Sequence, residues 1–196
     1  MGVIYGDGHV SVKQRRAILS VIDKDFALNF KDNIEKWSGF KARFYTRIIK
    51  TDNKIKKRKP QYVCYIDSIE ASKFLKNFKL NLIKSSSKTI KKEFIKGFFD
   101  SEGHVSTNNG IILYNSDYKL SKFVSLLLNS LNITNSIKSR IIFNHLTNKD
   151  LTMHNIKISR ESRPLFTKKI NSSIKRKQDR LVRFININEI VKPDGS

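Results

Sequence analysis

Apolar residues recur at helical spacing in two separate stretches, Phe26, Phe30, Ile34 and Trp37, then Leu120, Val124, Leu127, Leu128 and Leu131. Steps of three and four put each set on one face, so each stretch predicts an amphipathic helix. Asp23 and Ser116 stand where a helix cap belongs, and Gly39 where the first of these helices would end. Ahead of each helix lie two short runs that read as paired strands, residues 9–12 and 17–22 in one case, 104–107 and 111–114 in the other. After the first helix, residues 41–49 alternate: Lys41, Arg43, Tyr45 and Arg47 fall at odd positions, small or apolar side chains at most even ones. That is the period-2 pattern of a strand with one wet face. Lys138 and Arg140 alternate in the same way with Ile137, Ser139 and Ile141. Residues 61–66, reached through a basic loop at 53–59, and residues 153–158, reached through 146–150, supply partner strands. Closing helices are expected at 68–78 and 162–171.

These elements come in the same order twice, and the repetition is also literal. Residues 2–11 and 97–106, offset by 95 positions, agree at five of ten places, Gly2/Gly97, Gly8/Gly103, His9/His104, Val10/Val105 and Ser11/Ser106. Val3/Phe98 and Ile4/Phe99 stay apolar, Gly6/Ser101 stays small, and Asp7/Glu102 keeps a carboxylate. The predicted fold is α+β, two pseudo-twofold-related αββαββα repeats. The domain boundaries that follow are 1–79 and 89–184 for the repeats, 80–88 for a linker, and 185–196 for a loose tail. Only Met1 precedes Gly2, whereas the second motif has a full helical run from about Thr89, so the first helix is either unusually short or short of a turn.

Composition narrows the function. With 39% hydrophobic and 10% aromatic residues the chain can fill a core, which argues against intrinsic disorder. No run approaches the roughly 20 apolar residues of a spanning helix, and no basic-then-apolar leader is visible, so an intracellular address is expected, cytoplasmic or organellar according to the host. Cys64 is the only cysteine, which excludes an intrachain disulfide and multi-thiolate zinc sites. Thirty-nine Lys and Arg against 17 Asp and Glu leave a net charge of +22, spread over both halves. Such imbalance repels itself unless a polyanion answers it, which points to nucleic acid. A lysine-rich proteome would give the same count for a bland reason, and a membrane surface would call for a basic amphipathic helix that the sequence lacks.

The motif has its own chemistry. Gly2 and Gly6, like Gly97 and Ser101, are four residues apart and share a helix face. Small side chains there let two helices approach closer than the usual spacing of about 8–10 Å. Glycine inside a helix costs about 1 kcal/mol relative to alanine, so close packing is the reason to keep it. The next residue in each copy is the acid, followed by a glycine that ends the helix. Packing the two helices side by side therefore brings Asp7 and Glu102 together, and adjacent carboxylates call for a cation between them. In a protein that holds nucleic acid, Mg²⁺ with waters and phosphate oxygens is the natural filler.

The segments Gly-Val-Ile-Tyr-Gly-Asp-Gly and Ile-Lys-Gly-Phe-Phe-Asp-Ser-Glu-Gly resemble the two signature helices of monomeric LAGLIDADG homing endonucleases, close to the small archaeal-type enzymes encoded in introns. The resemblance implies an antiparallel β saddle over the DNA major groove, two signature helices packed at the repeat interface, and a divalent-metal-dependent staggered cut. It makes Asp7 and Glu102 the catalytic acids and metal ligands, adds Gly6 and Ser101 to the metal set, and allows Mn²⁺ or Ca²⁺ in place of Mg²⁺. Lys24 matches a lysine that the family places near the scissile phosphates; the second half has Asn115-Ser116-Asp117 there, with Lys119 beyond. Asp100 falls where the first copy has Tyr5 and receives no catalytic role.

The expected partner is double-stranded DNA, bound by a monomer through Lys13, Arg15, Arg16, Lys41, Arg43, Tyr45, Arg47 and Gln61 in the first repeat, and Lys138, Arg140 and Lys157 in the second. Arginine can fork onto guanine edges while lysine mostly neutralises phosphate. His9 and His104 lie beyond the motif helices and the acids suffice without them; His145 and His154 have poor spacing for a ββα-metal nuclease. The basic run 168–183 reads equally as a phosphate-contacting segment or a solvated helix. Two rivals use the same scaffold: an intron maturase with intron RNA as partner, and a DNA-binding protein without catalysis.

Overall fold

The computed structural model describes residues 1–48, 59–106, 110–144 and 148–190. The chain divides into two compact units, Val3–Leu80 with Met1, and Asn81–Ser196 with Gly2.

The first unit begins with a short helix, α1 (Gly2–Tyr5), and a hairpin of β1 (His9–Ser11) and β2 (Arg16–Val21). Helix α2 (Lys24–Ser38) leads to a second hairpin, β3 (Arg43–Arg47) and β4 (Gln61–Asp67), and α3 (Ile69–Asn77) closes the unit. The sheet is antiparallel throughout, in the order β1-β2-β4-β3. Period-2 alternation sends Ala17 and Leu19 of β2 and Cys64 and Ile66 of β4 to one face, all of them buried. Helix α2 packs on β2 and β4, and α3 on β1 and β2. Phe26, Phe30 and Ile34 from α2 and Ala71 and Leu75 from α3 are buried with them, which forms the core. Ser68 caps α3 by accepting the Ala71 N–H at 3.2 Å. Gly39 ends α2 in the left-handed region, φ 73°, as its glycine allows.

The second unit repeats this plan and extends it. After α4 (Asn81–Lys84) come α5 (Lys88–Glu102), β5 (Gly103–Ser106), β6 (Gly110–Asn115), α6 (Tyr118–Ser130), β7 (Asn135–Asn144), β8 (Lys149–Ile158), a 3₁₀ turn at Arg160–Ser162, α7 (Arg163–Lys169) and α8 (Lys175–Ile190). Its sheet order, β5-β6-β8-β7, matches that of the first. Helix α6 packs on β6, β7 and β8, while α8 packs on α7 and β5.

Several local expectations shift. The second capping residue is Asp117, whose carboxylate accepts the Leu120 N–H at 3.1 Å, one place after Ser116. Helix α1 stops at Tyr5, so Gly6 lies in the turn that follows and does not share a helix face with Gly2. The stretch read as a linker contains α4, and the segment read as a tail is helical as far as Ile190. The loop at 53–59 lies, but for Lys59, outside the described residues, as do Thr107, His145 and residues 191–196. No helix among the described residues is long and apolar enough to cross a membrane.

Candidate functional site

The sheet face opposite the helices is where the predicted basic residues assemble. In the first unit, the registers Arg43↔Tyr65, Arg47↔Gln61, Ile18↔Tyr65 and Arg16↔Asp67 place Arg16, Arg43, Tyr45, Arg47, Gln61 and Tyr65 on one face. These side chains hold one another. The Arg16 guanidinium lies 3.9 Å from the centroid of the Tyr65 ring and forks onto Asp67, at 2.7 Å through Nε and 3.2 Å through Nη2. Arg47 Nη2 donates to Gln61 Oε1 at 2.5 Å and to Ser20 Oγ at 3.2 Å, and Ser20 Oγ donates to the same Gln61 oxygen. Tyr45 meets the Tyr65 ring edge-on at 6.4 Å between centroids. Val63 and Tyr65 lie beneath these side chains and are buried even though they sit on the polar face. Lys41 lies just before β3, and Lys13 and Arg15 in the β1–β2 turn, all three exposed. Arg15 has φ 56°, and its carbonyl accepts the Ser68 N–H at 2.7 Å.

The second unit builds the same kind of face with fewer internal bonds. Ile112↔Lys157, Tyr114↔Asn155, Ser136↔Lys157, Lys138↔Asn155 and Arg140↔Met153 align Lys138, Arg140, Lys157 and Tyr114. The Arg140 guanidinium lies 5.8 Å from the centre of the Tyr114 ring, an arginine over a tyrosine here too, though from an outer strand. His154 points the other way: it is buried, its Nδ1 pairs with Ser139 Oγ at 2.8 Å, and its ring packs 5.2 Å from that of Tyr118. It is a core histidine. His9 and His104 are exposed on their strands.

Each acid sits where its motif helix gives way to the first strand. Asp7 is exposed in the turn after α1, a turn shaped by the Gly6 and Gly8 N–H groups, which both donate to the Val3 carbonyl, at 3.2 and 2.8 Å. Glu102 is the last residue of α5 and half-buried, and its Oε1 accepts from Asn115 Nδ2 at 3.3 Å. Asn115 ends β6, in the segment aligned with Lys24, so the second repeat offers an amide contact to its acid there. In the sequence that position stands out only for its missing lysine. Lys24 itself is the first residue of α2 and exposed, three places past the end of β2. Gly103 ends α5 in extended conformation; a Cβ built on it would collide with the Phe99 ring, which explains the glycine without any left-handed turn. Gly2, which groups with the second unit, has no room for a side chain either: a Cβ would overlap the Phe94 carbonyl and the Phe98 amide of α5. Close backbone approach is thus what Gly2 serves.

Asp100, given no catalytic role from sequence, is buried and structural. Its carboxylate accepts from Ser172 Oγ and Ser173 Oγ, both at 2.5 Å, and from the Ser173 N–H at 3.2 Å. Burial pushes its carboxyl above the usual range, against the pull of the serines and of Lys177. Lys177 corrects the reading of the basic run. It is 5% exposed and donates to the Phe99 and Asp100 carbonyls at 3.0 and 2.7 Å. Lys169 Nζ donates to the Leu131 carbonyl, and Arg180 to that of Val105. Lys177 is thus an internal tie of the second unit, whereas Arg180 and the other exposed cations of the run, Lys168, Lys175, Arg176 and Arg183, lie on the surface.

The donors in the two acid-bearing turns are oxygens only: the Asp7 and Glu102 carboxylates and the carbonyls of Gly6 and Ser101. The Ser101 carbonyl belongs to the last turn of α5, whose carbonyls lack i+4 partners within the helix. A hard-oxygen set of this kind fits Mg²⁺, Ca²⁺ or Mn²⁺. Among the described residues no group of three or more His, Cys, Asp or Glu is gathered as a metal cluster. Asp7 and Glu102 belong to separate units.

Two repeats, each an antiparallel four-stranded sheet with helices on one face and a basic, aromatic surface on the other, define the class as an α+β protein of the LAGLIDADG fold. Residues 89–171 match the family model of the LAGLIDADG-like domain, and the chain as a whole has the fold of the homing endonuclease I-DmoI. The structure of I-DmoI in complex with DNA and Ca matches with a TM-score of 0.64, covering 93% of this chain and 94% of that one at 18% identity. The N-terminal LAGLIDADG domain of WhiA matches with a TM-score of 0.59, covering 93% and 83% at 18% identity. An uncharacterized protein of Methanocaldococcus jannaschii is 29% identical over 94% of this chain and 69% of its own length. Identities this low between the solved structures and this chain establish a shared fold; function has to come from the site.

Proposed function

We propose that the protein is a site-specific double-stranded DNA endonuclease that works as a monomer and hydrolyses phosphodiesters with Mg²⁺ held by Asp7 and Glu102, aided by the Gly6 and Ser101 carbonyls. The observation that carries this reading is the coincidence, in each repeat, of an acid at the end of the motif helix with a basic, aromatic sheet face. When bound, the ion would supply an activated water and neutralise charge building on the phosphate. The chain's own residues do the rest. Arg16, Arg43 and Arg47, held in fixed geometry by Asp67, Gln61 and the tyrosines, are preorganised to meet base edges or phosphates, so less freedom is lost on binding. Lys138, Arg140 and Lys157 neutralise backbone charge along the other half-site, and Asn115 orients Glu102. Lys24 stands as the first-repeat cation for the phosphate. Solved I-DmoI complexes contain Ca or Mn, and one was prepared with Mg, in keeping with a divalent requirement.

A second reading, DNA binding without cleavage, uses the same fold, which the N-terminal LAGLIDADG domain of WhiA shares; RNA binding by an intron maturase is a third. Cleavage assays decide among them. Wild-type protein should nick or cut duplex DNA with Mg²⁺ and not with EDTA. Asp7→Asn and Glu102→Gln should each abolish cutting, a loss of at least about 10²-fold as for other groups that act directly on the reacting phosphate, while leaving DNA affinity within a few fold. Tight duplex binding with no cutting by the wild type would establish the non-catalytic reading, and a preference for RNA the maturase.

A further inference from the structure

Two places before each acid stands a residue whose identity differs between the repeats, Tyr5 before Asp7 and Asp100 before Glu102. Nothing in the motif explains the difference. Each nevertheless makes a long-range bond to the same part of its own repeat. The Tyr5 hydroxyl donates to the carbonyl of Phe78, the C-cap of α3, at 2.8 Å. The Asp100 carboxylate takes the hydroxyls of Ser172 and Ser173, just beyond α7. Tyr5 and Asp100 are offset by 95 positions, and so are Phe78 and Ser173. One tie is thus made twice with opposite hydrogen-bond polarity, a hydroxyl donating in the first repeat and a carboxylate accepting in the second.

The second repeat reinforces the tie. Lys177 enters from α8 and donates to the Phe99 and Asp100 carbonyls, in the last turn of α5, where a cation also complements the helix dipole. Its ammonium lies 5.3 Å from the centre of the Phe99 ring, which packs edge-on against Phe166 of α7 at 5.0 Å. Helix ends fray unless their carbonyls are engaged, and Glu102 is the last residue of this one. A carboxylate that must meet a metal within about 0.5 Å needs a turn that does not fray.

We propose that Tyr5, Asp100 and Lys177 are positioning residues: Tyr5 and Asp100 fix the turn that carries their repeat's acid by anchoring it to the end of the repeat's closing helix, and Lys177 fixes the second turn from α8. This rests on the reading of Asp7 and Glu102 as metal-bearing acids. It also gives α8 a function, that of a strut behind Glu102, beyond covering the core.

The test uses the full chain carrying Tyr5→Phe, Lys177→Met or Lys177→Arg, with Mn²⁺ binding followed through the EPR signal of the free ion and an Asp7→Asn/Glu102→Gln double variant as the blank. Metal-free duplex affinity and Tm are measured alongside. Tyr5→Phe and Lys177→Met should each weaken Mn²⁺ binding roughly tenfold or more, the usual effect of losing an outer-shell partner, with duplex affinity within about twofold, and Lys177→Arg should restore most of the loss. Variants that melt earlier but bind Mn²⁺ as the wild type does would overturn the proposal in favour of a purely structural tie. If Lys177→Met does not fold, Tyr5→Phe, which removes a single hydroxyl, decides by the same criterion. A wild type whose Mn²⁺ binding matches the blank would overturn the endonuclease reading itself, and the positioning role with it. That result differs from wild-type binding that the variants retain.

Discussion

Cys64 sits on the core face of β4 with no exposed surface, and burial pushes its thiol up to about 12. The thiolate is the reactive form, so this cysteine is a packing residue. Native protein at pH 8 should leave Ellman's reagent uncoloured over hours and react fully once unfolded in guanidinium; prompt reaction of the folded chain would contradict the burial. Sequence alone could count the cysteine but not bury it. The same limit applies to Asp100, which could be excluded from catalysis because its partner position holds Tyr5. Its true employment depends on Ser172 and Ser173, 72 and 73 residues away. Lys177 is hidden for a different reason. In a chain with 39 basic residues, one more lysine in a basic run carries no signal, and a buried one looks like its solvated neighbours until its acceptors are known.

At the scale of elements, periodicity is a good guide because α2 and α6 each lay one apolar stripe on a sheet, and both outer strands keep a polar face. What it cannot settle is ends. Ser116 and Asp117 are both good caps, and only the backbone geometry chooses Asp117. The segment from Ile185 reads as a loose tail, yet α8 carries on into it as far as Ile190. The end of α2 has a specific fastening: Glu35 accepts the Ala42 N–H at 2.8 Å and Lys31 Nζ at 2.9 Å, joining the helix to the start of β3. The Ala42 N–H first, and Lys31 second, hold the Glu35 carboxyl below its ordinary value of 4.5. A carboxyl depressed in the folded state adds stability that is complete above its unfolded value and is lost as pH falls through the folded one. Glu35→Gln should therefore lower stability in urea at pH 7, and its deficit relative to wild type should shrink as pH drops below about 4.5. A deficit independent of pH would mean that the charge plays no part.

For the whole molecule, the literal repeat is the most informative feature of the sequence. Matching residues 2–11 with 97–106 implies two copies of one supersecondary plan, and both sheets indeed share the order outer strand, inner strand, inner strand, outer strand. The order itself is not legible. Alternation tells which face of a strand is wet but not which neighbour it pairs with, and β2 meets β4 only because two hairpins join edge to edge. Basic side chains distributed along the sequence converge on one face of each sheet, which is how a charge of +22 becomes two directed surfaces. Incubating the full chain with a randomised duplex DNA library, with Mg²⁺ or with EDTA, and sequencing the new ends tests the central claim with no target chosen in advance. The endonuclease account predicts Mg²⁺-dependent ends clustered at one long recurring site. Library fragments retained by the protein, with no new ends under either condition, would contradict it.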